Sequence, residues 1–223
     1  METMHLSAEI VEDVLPAIKK FLDKLPNKVG LLTTVQHINQ VGKIKDYLEK
    51  NGKKVFLAKG AKTESPGQVL GCDFDAAKKA ADKVDAFLYI GTGRFHPLGI
   101  VLYTGKNAFA INPLTKEMKE FSKKDTELIE KRRKGALLKF YSSKNIGIIA
   151  SIKPGQNRLK GSLELKKRLK DKKCYIFLTD TLDFSEMENF PYIGCFVNTM
   201  CPRIGLDDTI RTPKPIINID DII

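Results

Sequence analysis

Gly30-Leu31-Leu32-Thr33-Thr34 and Gly147-Ile148-Ile149-Ala150-Ser151 are two versions of one strand-sized apolar run, and what surrounds each decides the fold. Downstream of the first, IKDYLEKNGKKVFL (residues 44–57) has its counterpart in LKKRLKDKKCYIFL (165–178). In residues 41–50 the apolar positions Val41, Ile44, Tyr47 and Leu48 keep helical spacing, and Asn51-Gly52 stops the helix before a second strand at 55–58. Farther on, Asp85-Ala86-Phe87-Leu88-Tyr89 answers to Gly194-Cys195-Phe196-Val197-Asn198. Strand, helix, strand, repeated twice in one chain, is economically explained as two copies of a βαβ-type unit.

The first unit adds a helix over 73–83, a strand over 85–90 apolar enough to be buried on both faces, a strand over 108–111 and a charged helix over 125–142. The expected architecture is therefore α/β: two repeated βαβ-type domains, 1–143 and 144–223, each with a mostly parallel sheet flanked by helices. Right-handed crossovers put the working loops of such sheets at the carboxyl ends of their strands.

Those ends hold the unusual residues. Thr34-Val35-Gln36-His37 follows the first strand, Gly91-Thr92-Gly93-Arg94-Phe95-His96-Pro97 the third and Asn112-Pro113 the fourth. Lys153-Pro154-Gly155-Gln156 and residues 198–203 follow strands of the second unit. The Gly91/Gly93 pair is not a dinucleotide fingerprint, because its third glycine position is His96 and Pro97 follows. His5, His37 and His96 have no zinc spacing and no neighbouring cysteine; His5 reads as incidental, and His37 and His96 as structural or ligand-contacting in equal measure. No nucleophile elbow is present.

Four cysteines are too few and too irregular for a disulfide framework in 223 residues. Cys72 precedes a predicted helix, where amide groups and the dipole favour a thiolate. Cys201 follows a strand directly and precedes Pro202. Cys174 and Cys195 sit in apolar strands and read as core. By local sequence alone, core packing is also the better reading of Cys72.

A net charge of +11 raises the question of a nucleic-acid surface. The lysines fall largely on polar helix faces (Lys43, Lys45, Lys50; Lys166, Lys167, Lys170) with few aromatics between them, so a solvated surface is expected, and nucleic acid is not an expected partner. The longest apolar runs, 86–90 and 146–150, are far short of a membrane span, and residues 1–10 lack a secretory pattern. A cytoplasmic protein is expected.

Taken together, TTVQH (33–37), GQVLGCD (67–73), DAFLYIGTGRFHPLG (85–99), PGQ (154–156) and NTMCPRI (198–204) resemble, in order and spacing, the archaeal-type diphthamide synthase family, the 2-(3-amino-3-carboxypropyl)histidine synthases. The resemblance implies three similar domains, each giving one cysteine to a 4Fe-4S cluster. Cys72 matches the middle domain's ligand and Cys201 the last domain's; the first domain, with the third ligand, is expected to be missing ahead of Met1. It further implies transfer of the 3-amino-3-carboxypropyl group of S-adenosylmethionine, through a radical, to a histidine of translation elongation factor two. An electron donor and a homodimer belong to the same implication. Candidate contacts to S-adenosylmethionine are Gln36, His37, Gly91, Gly93, Arg94, His96, Asn112, Pro113, Gly155 and Gln156. The alternative is a truncated, non-catalytic relative acting as a binding module.

Overall fold

In the computed structural model, which describes residues 8–153 and 155–222, the chain forms two compact units, the first running to Thr126 and the second from Glu127. The change of unit falls near the start of the helix Lys123–Ser142, whereas the sequence places the boundary after that helix, at 143/144.

The first unit contains α1 (Leu15–Phe21), β1 (Lys28–Thr33), α2 (Val41–Lys50), β2 (Lys54–Phe56), α3 (Asp75–Ala80), β3 (Ala86–Ile90), α4 (Phe95–Thr104), β4 (Ala108–Asn112) and β5 (Glu117–Phe121). Its sheet has the order β2-β1-β3-β4-β5, parallel except for β5, which turns back against β4. After α5 (Lys123–Ser142), the second unit contains β6 (Asn145–Ser151), α6 (Leu159–Arg168), β7 (Lys173–Thr179), β8 (Cys195–Asn198) and β9 (Ile216–Asn218). Its sheet runs β7-β6-β8-β9, all parallel. Strand for strand this is the order of the first four in unit one, as the repeat predicts.

Packing repeats along with order. In unit one Gly30 lies opposite Phe87, and a Cβ at Gly30 would fall 2.5 Å from the phenyl ring. In unit two Gly147 lies opposite Phe196 with the same 2.5 Å approach. Each central strand thus gives up a side chain so that the neighbouring strand can lay a ring across its backbone. On the opposite face of unit one, Leu31, Leu88, Ile90 and Ile111 pack with Ile18 of α1 and Ile44 and Leu48 of α2. In unit two Ile146, Ile148, Val197 and Ile217 pack with Ala136 and Phe140 of α5 and Leu165 of α6. Burying each large side chain of this kind contributes about 1.5–3 kcal/mol.

Three elements depart from the sequence expectation. The third helix is shorter than the expected 73–83, ending as an α-helix at Ala80 and finishing in a 3-10 turn over Ala81–Lys83. No element is assigned from the sequence to the charged residues of β5, which form a strand against the open edge of β4. β9 is a three-residue strand that parallel pairing to β8 alone defines.

Replacing Gly147 by alanine should displace the Phe196 ring and cost about 1–3 kcal/mol, the usual range for overpacking a filled core. Urea unfolding of the Gly147→Ala protein, compared with a Gly161→Ala control whose added methyl meets open space, measures the difference.

Candidate functional site

Because the strands are parallel, the loop after each of β1, β2, β3, β6, β7 and β8 leaves from the carboxyl end of its sheet, where binding residues of open α/β folds gather. Cys72 lies in the connection after β2. That connection returns to the end of β1, where Thr33 donates to Gly67 O (2.8 Å) and accepts through its carbonyl from Val69 N (2.8 Å). Leu70 and Asp73 then exchange backbone hydrogen bonds of 3.1 and 3.0 Å, making Gly71 and Cys72 a two-residue tip. The Asp73 carboxylate is buried and accepts from the amides of Lys62 and Asp75. Gly71 leaves room for the Phe95 ring, 3.0 Å from where its Cβ would be. The Gly-Cys-Asp triplet is thereby accounted for: a glycine under a ring, an exposed thiol and an anchor.

The sequence placed Cys72 at a helix start. It stands instead at the hairpin tip, three residues before the six-residue α3, because pairing of Leu70 with Asp73 keeps the segment extended.

Cys201 follows β8 and is held differently. Asn198, the last residue of β8, donates from Nδ2 to Cys201 O (2.9 Å) and to Asn218 Oδ1 (2.7 Å), and accepts at Oδ1 from Met200 N (3.0 Å). Asn218, the last residue of β9, donates to Pro202 O (2.9 Å). Thr199 donates to Ile149 O (2.9 Å) and shares a 3.0 Å hydrogen bond with Ser162. Asn198, Thr199 and Asn218 are nearly fully buried, so removing one amide strands its partner at a cost of about 1–3 kcal/mol. Arg203, held by Asp207 at 2.9 Å, lies within electrostatic reach of the Cys201 sulfur. Each cysteine thus stands at the carboxyl end of its own sheet, but not on the equivalent connection, since in unit one the loop after the third strand is Gly91–Arg94.

The remaining candidates separate into groups. Gly91, Gly93, Arg94 and Asn112 line one open cleft of about 530 Å³, whose other charged groups are Lys20, Glu117 and Lys119. Gly93 has φ +80° and open space around its missing Cβ, so only glycine sits there without strain. Pro113 is buried in the β4–β5 turn, where Asn112 Oδ1 accepts from Leu114 N (3.0 Å); its role is to shape the turn. Gln36 and His37 lie in the 3-10 turn after β1, and both Gln36 Oε1 and His37 Nδ1 are buried without a hydrogen-bond partner. His96 stacks on Tyr89 (5.6 Å between centroids, 20° apart), and its Nδ1 is 3.2 Å from the Tyr89 hydroxyl. Gly155 (φ +77°) and Gln156 occupy an exposed turn in the second unit. His5 and Pro154 lie outside the described residues.

Tyr89 is the residue that the sequence reading passed over. Burial pushes its hydroxyl up to about 12, against a hydrogen bond from Thr34 that pulls the other way. The signal was a lone polar tip in the otherwise apolar strand Ala86–Ile90. Asn218 was missed too, although β4, β8 and β9 all end in asparagine.

Cys174 and Cys195 belong to the core, as expected, with thiols pushed up by burial, that of Cys195 to about 12. Cys72 is exposed, and Cys201 is half-buried against Met200, Ile204 and their neighbours, as Cys174 is against the second unit's other apolar cluster; Cys201 differs from Cys174 in lying on a loop at the carboxyl end of the sheet. Thiolate sulfur suits iron, and the braced loops would let Cys72 and Cys201 ligate without refolding. Among the described residues no group of three His, Cys, Asp or Glu side chains gathers as a metal site, so within those residues neither unit supplies a full ligand set for a cluster.

The family model for diphthamide synthesis proteins matches residues 1–222. The chain belongs to that family. A 2-(3-amino-3-carboxypropyl)histidine synthase of Pyrococcus horikoshii is 35% identical over 99% of this chain and 64% of its own length. That of Methanocaldococcus jannaschii is 33% identical over 78% of this chain and 53% of its own. A crystal structure of Dph2 from Pyrococcus horikoshii with a 4Fe-4S cluster matches with a TM-score of 0.79 at 32% identity, over 96% of this chain and 62% of that one. The chain thus spans between about half and two thirds of these relatives' length. Among the described residues no helix is long and apolar enough to cross a membrane.

Within this diphthamide-family fold, the burial that leaves His37 Nδ1 without a partner also holds the pKa of the ring below the ordinary 6.5. Protonation therefore favours the unfolded chain. The contribution of His37 is complete above pH 6.5 and is lost as pH falls from 6.5 toward the lowered folded value, by at most about 1.4 kcal/mol per pH unit. Urea midpoints between pH 7.5 and 5 should fall less steeply in His37→Gln than in the wild type.

Proposed function

We propose that this chain is the cluster-bearing part of a 2-(3-amino-3-carboxypropyl)histidine synthase, which transfers the 3-amino-3-carboxypropyl group of S-adenosylmethionine to a histidine of translation elongation factor two. The observation that carries the reading is the placing of one cysteine, exposed Cys72 or half-buried Cys201, on a braced loop at the carboxyl end of each repeated sheet, while the other two lie within strands of the second unit. Membership of the family, and the 4Fe-4S cluster of the Pyrococcus horikoshii Dph2 crystal structure, support it.

Cys72 and Cys201 would hold iron as thiolates, and a third thiolate of the family's set has no counterpart in Cys174 or Cys195. What a bound 4Fe-4S cluster supplies is an electron to the methionine side of S-adenosylmethionine, with methylthioadenosine as the leaving product. The protein's own contribution is to bind and orient. Arg94 and the amides around Gly93 offer positive charge and donors to the carboxylate, with Asn112 on the same cleft wall. Thr34, Tyr89 and His96 form a hydrogen-bonded series in which the phenol, neutral at physiological pH, suits an Nε2–H tautomer of His96 that donates toward the ligand. Gln36 and His37 offer two unused acceptors at the end of β1, and Gly155-Gln156 an exposed turn in the second unit. The same reading entails an external electron donor, a homodimer and a cytoplasmic setting.

Anaerobic reconstitution with iron and sulfide tests the proposal on this chain. The wild type should take up both and develop a broad visible absorbance, and Cys72→Ala and Cys201→Ala should each lose most of it. Colourless, iron-free wild type would contradict cluster binding. Cluster uptake without methylthioadenosine formation under a strong reductant would leave a binding module instead of an enzyme.

A further inference from the structure

The lysines that look dispersed in the sequence converge in the second unit. Its sheet begins at Asn145 and Lys173, paired side by side, with Lys173 N donating to Lys144 O (2.8 Å). α5 and α6 both end at this amino-terminal edge of the sheet, bringing Lys139 and Lys166-Lys167 alongside. Lys139 and Lys166 act electrostatically on the thiols of Cys195 and Cys174, next to the strand starts. Lys172 is the one lysine here used internally: it is 8% exposed and donates to Tyr141 O and Ser143 O (both 2.9 Å), closing the carbonyl end of α5. Lys139, Lys144, Lys166, Lys167, Lys170 and Lys173 are exposed, and none forms an ion pair among the described residues. The nearby carboxylate Asp171 stays 3.9 Å from Lys172.

Helix dipoles explain part of this, since cations are favoured in a last turn. They do not explain Lys144, Lys170 and Lys173, which lie outside the helices. Nor do they explain the aromatics at the same edge. Tyr141 is 62% exposed at the end of α5, beside the helix lysines, while Tyr175 and Tyr192 meet edge to face at 5.2 Å on the other face of the sheet, next to Lys173, where Asn145 donates to Tyr192 O.

We propose that this edge of the second unit binds single-stranded nucleic acid, the lysines tracking phosphates and the tyrosines stacking on bases. Cations beside exposed π-faces are the recognised combination for such strands, and base stacking on tyrosine is a contribution that a carboxylate-rich polypeptide, which has no bases, does not make. The surface lies at the opposite end of the sheet from Cys201, on the order of 20 Å away along β6. It is independent of the proposed cluster chemistry.

The test is fluorescence anisotropy of a labelled 12-nucleotide oligouridylate with the full chain from 20 to 200 mM salt. Binding should weaken with salt. The combined Lys167→Glu/Lys170→Glu/Lys173→Glu protein should bind at least tenfold more weakly, with the log–log salt slope reduced by about 2. Tyr141→Ala should weaken binding about fivefold or more while leaving the slope alone. Circular dichroism and urea midpoints confirm that each variant is folded. The same charge change in unit one, Lys50→Glu/Lys83→Glu/Lys123→Glu, should have a smaller effect. Equal weakening by both triple variants, competition by polyglutamate as effective as by unlabelled RNA, or no binding at 20 mM salt would each overturn the proposal.

Discussion

A phenylalanine ring lying across a strand glycine organises the centre of each unit. Phe87 over Gly30 and Phe196 over Gly147 hold the third strand of each unit in one register against the parallel first strand, because a slip by one residue would turn the ring to the other face. Once those strands are parallel, every crossover must return on the far side, and the loops that follow the strands collect at one end. The placing of Cys72 and Cys201 at carboxyl ends is a consequence of that packing.

What then differs between the units is how each loop satisfies its buried polar groups. In unit one a carboxylate does it: Asp73 takes two amides and holds the tip on which Cys72 stands. In unit two a pair of amides does it, Asn198 and Asn218 at the ends of adjacent strands, spanning Cys201 and Pro202. Both solutions fix the backbone on either side of the cysteine, leaving Cys72 exposed and Cys201 half-buried at the end of its sheet. Cys195 shows the contrast, with its thiol fully buried against the Ala136 carbonyl.

The repeat and the parallel sense were legible in the sequence because they follow from hydrophobic period and from segments of matching pattern such as 44–57 and 165–178. The edges were not. β5 is charged and gains its place only through the free edge of β4, and β9 is too short to have a period. At the site, the glycines and cysteines stood out as residue types, and Gly91, Gly93, Arg94 and Asn112 do meet at one cleft. Tyr89 and Asn218 were hidden because their role depends on partners distant in sequence: Thr34 for the first, Asn198 for the second. The convergence of lysines at the amino-terminal edge was hidden for the same reason. Residues 139–144 and 166–173 are neighbours only once β6 and β7 pair.

On the proposed function Cys72 and Cys201 would be the ligands, while Cys174 and Cys195 pack against the core of the second unit. Peptide-level mass spectrometry of the reduced, iron-free native protein, sampled during timed alkylation with iodoacetamide, tests this division most directly. The expected order is Cys72 fastest, then Cys201, then Cys174, with Cys195 labelled only on the timescale of unfolding. Protection of Cys72 or Cys201 to the level of Cys195, or rapid labelling of Cys195 in the folded chain, would contradict it.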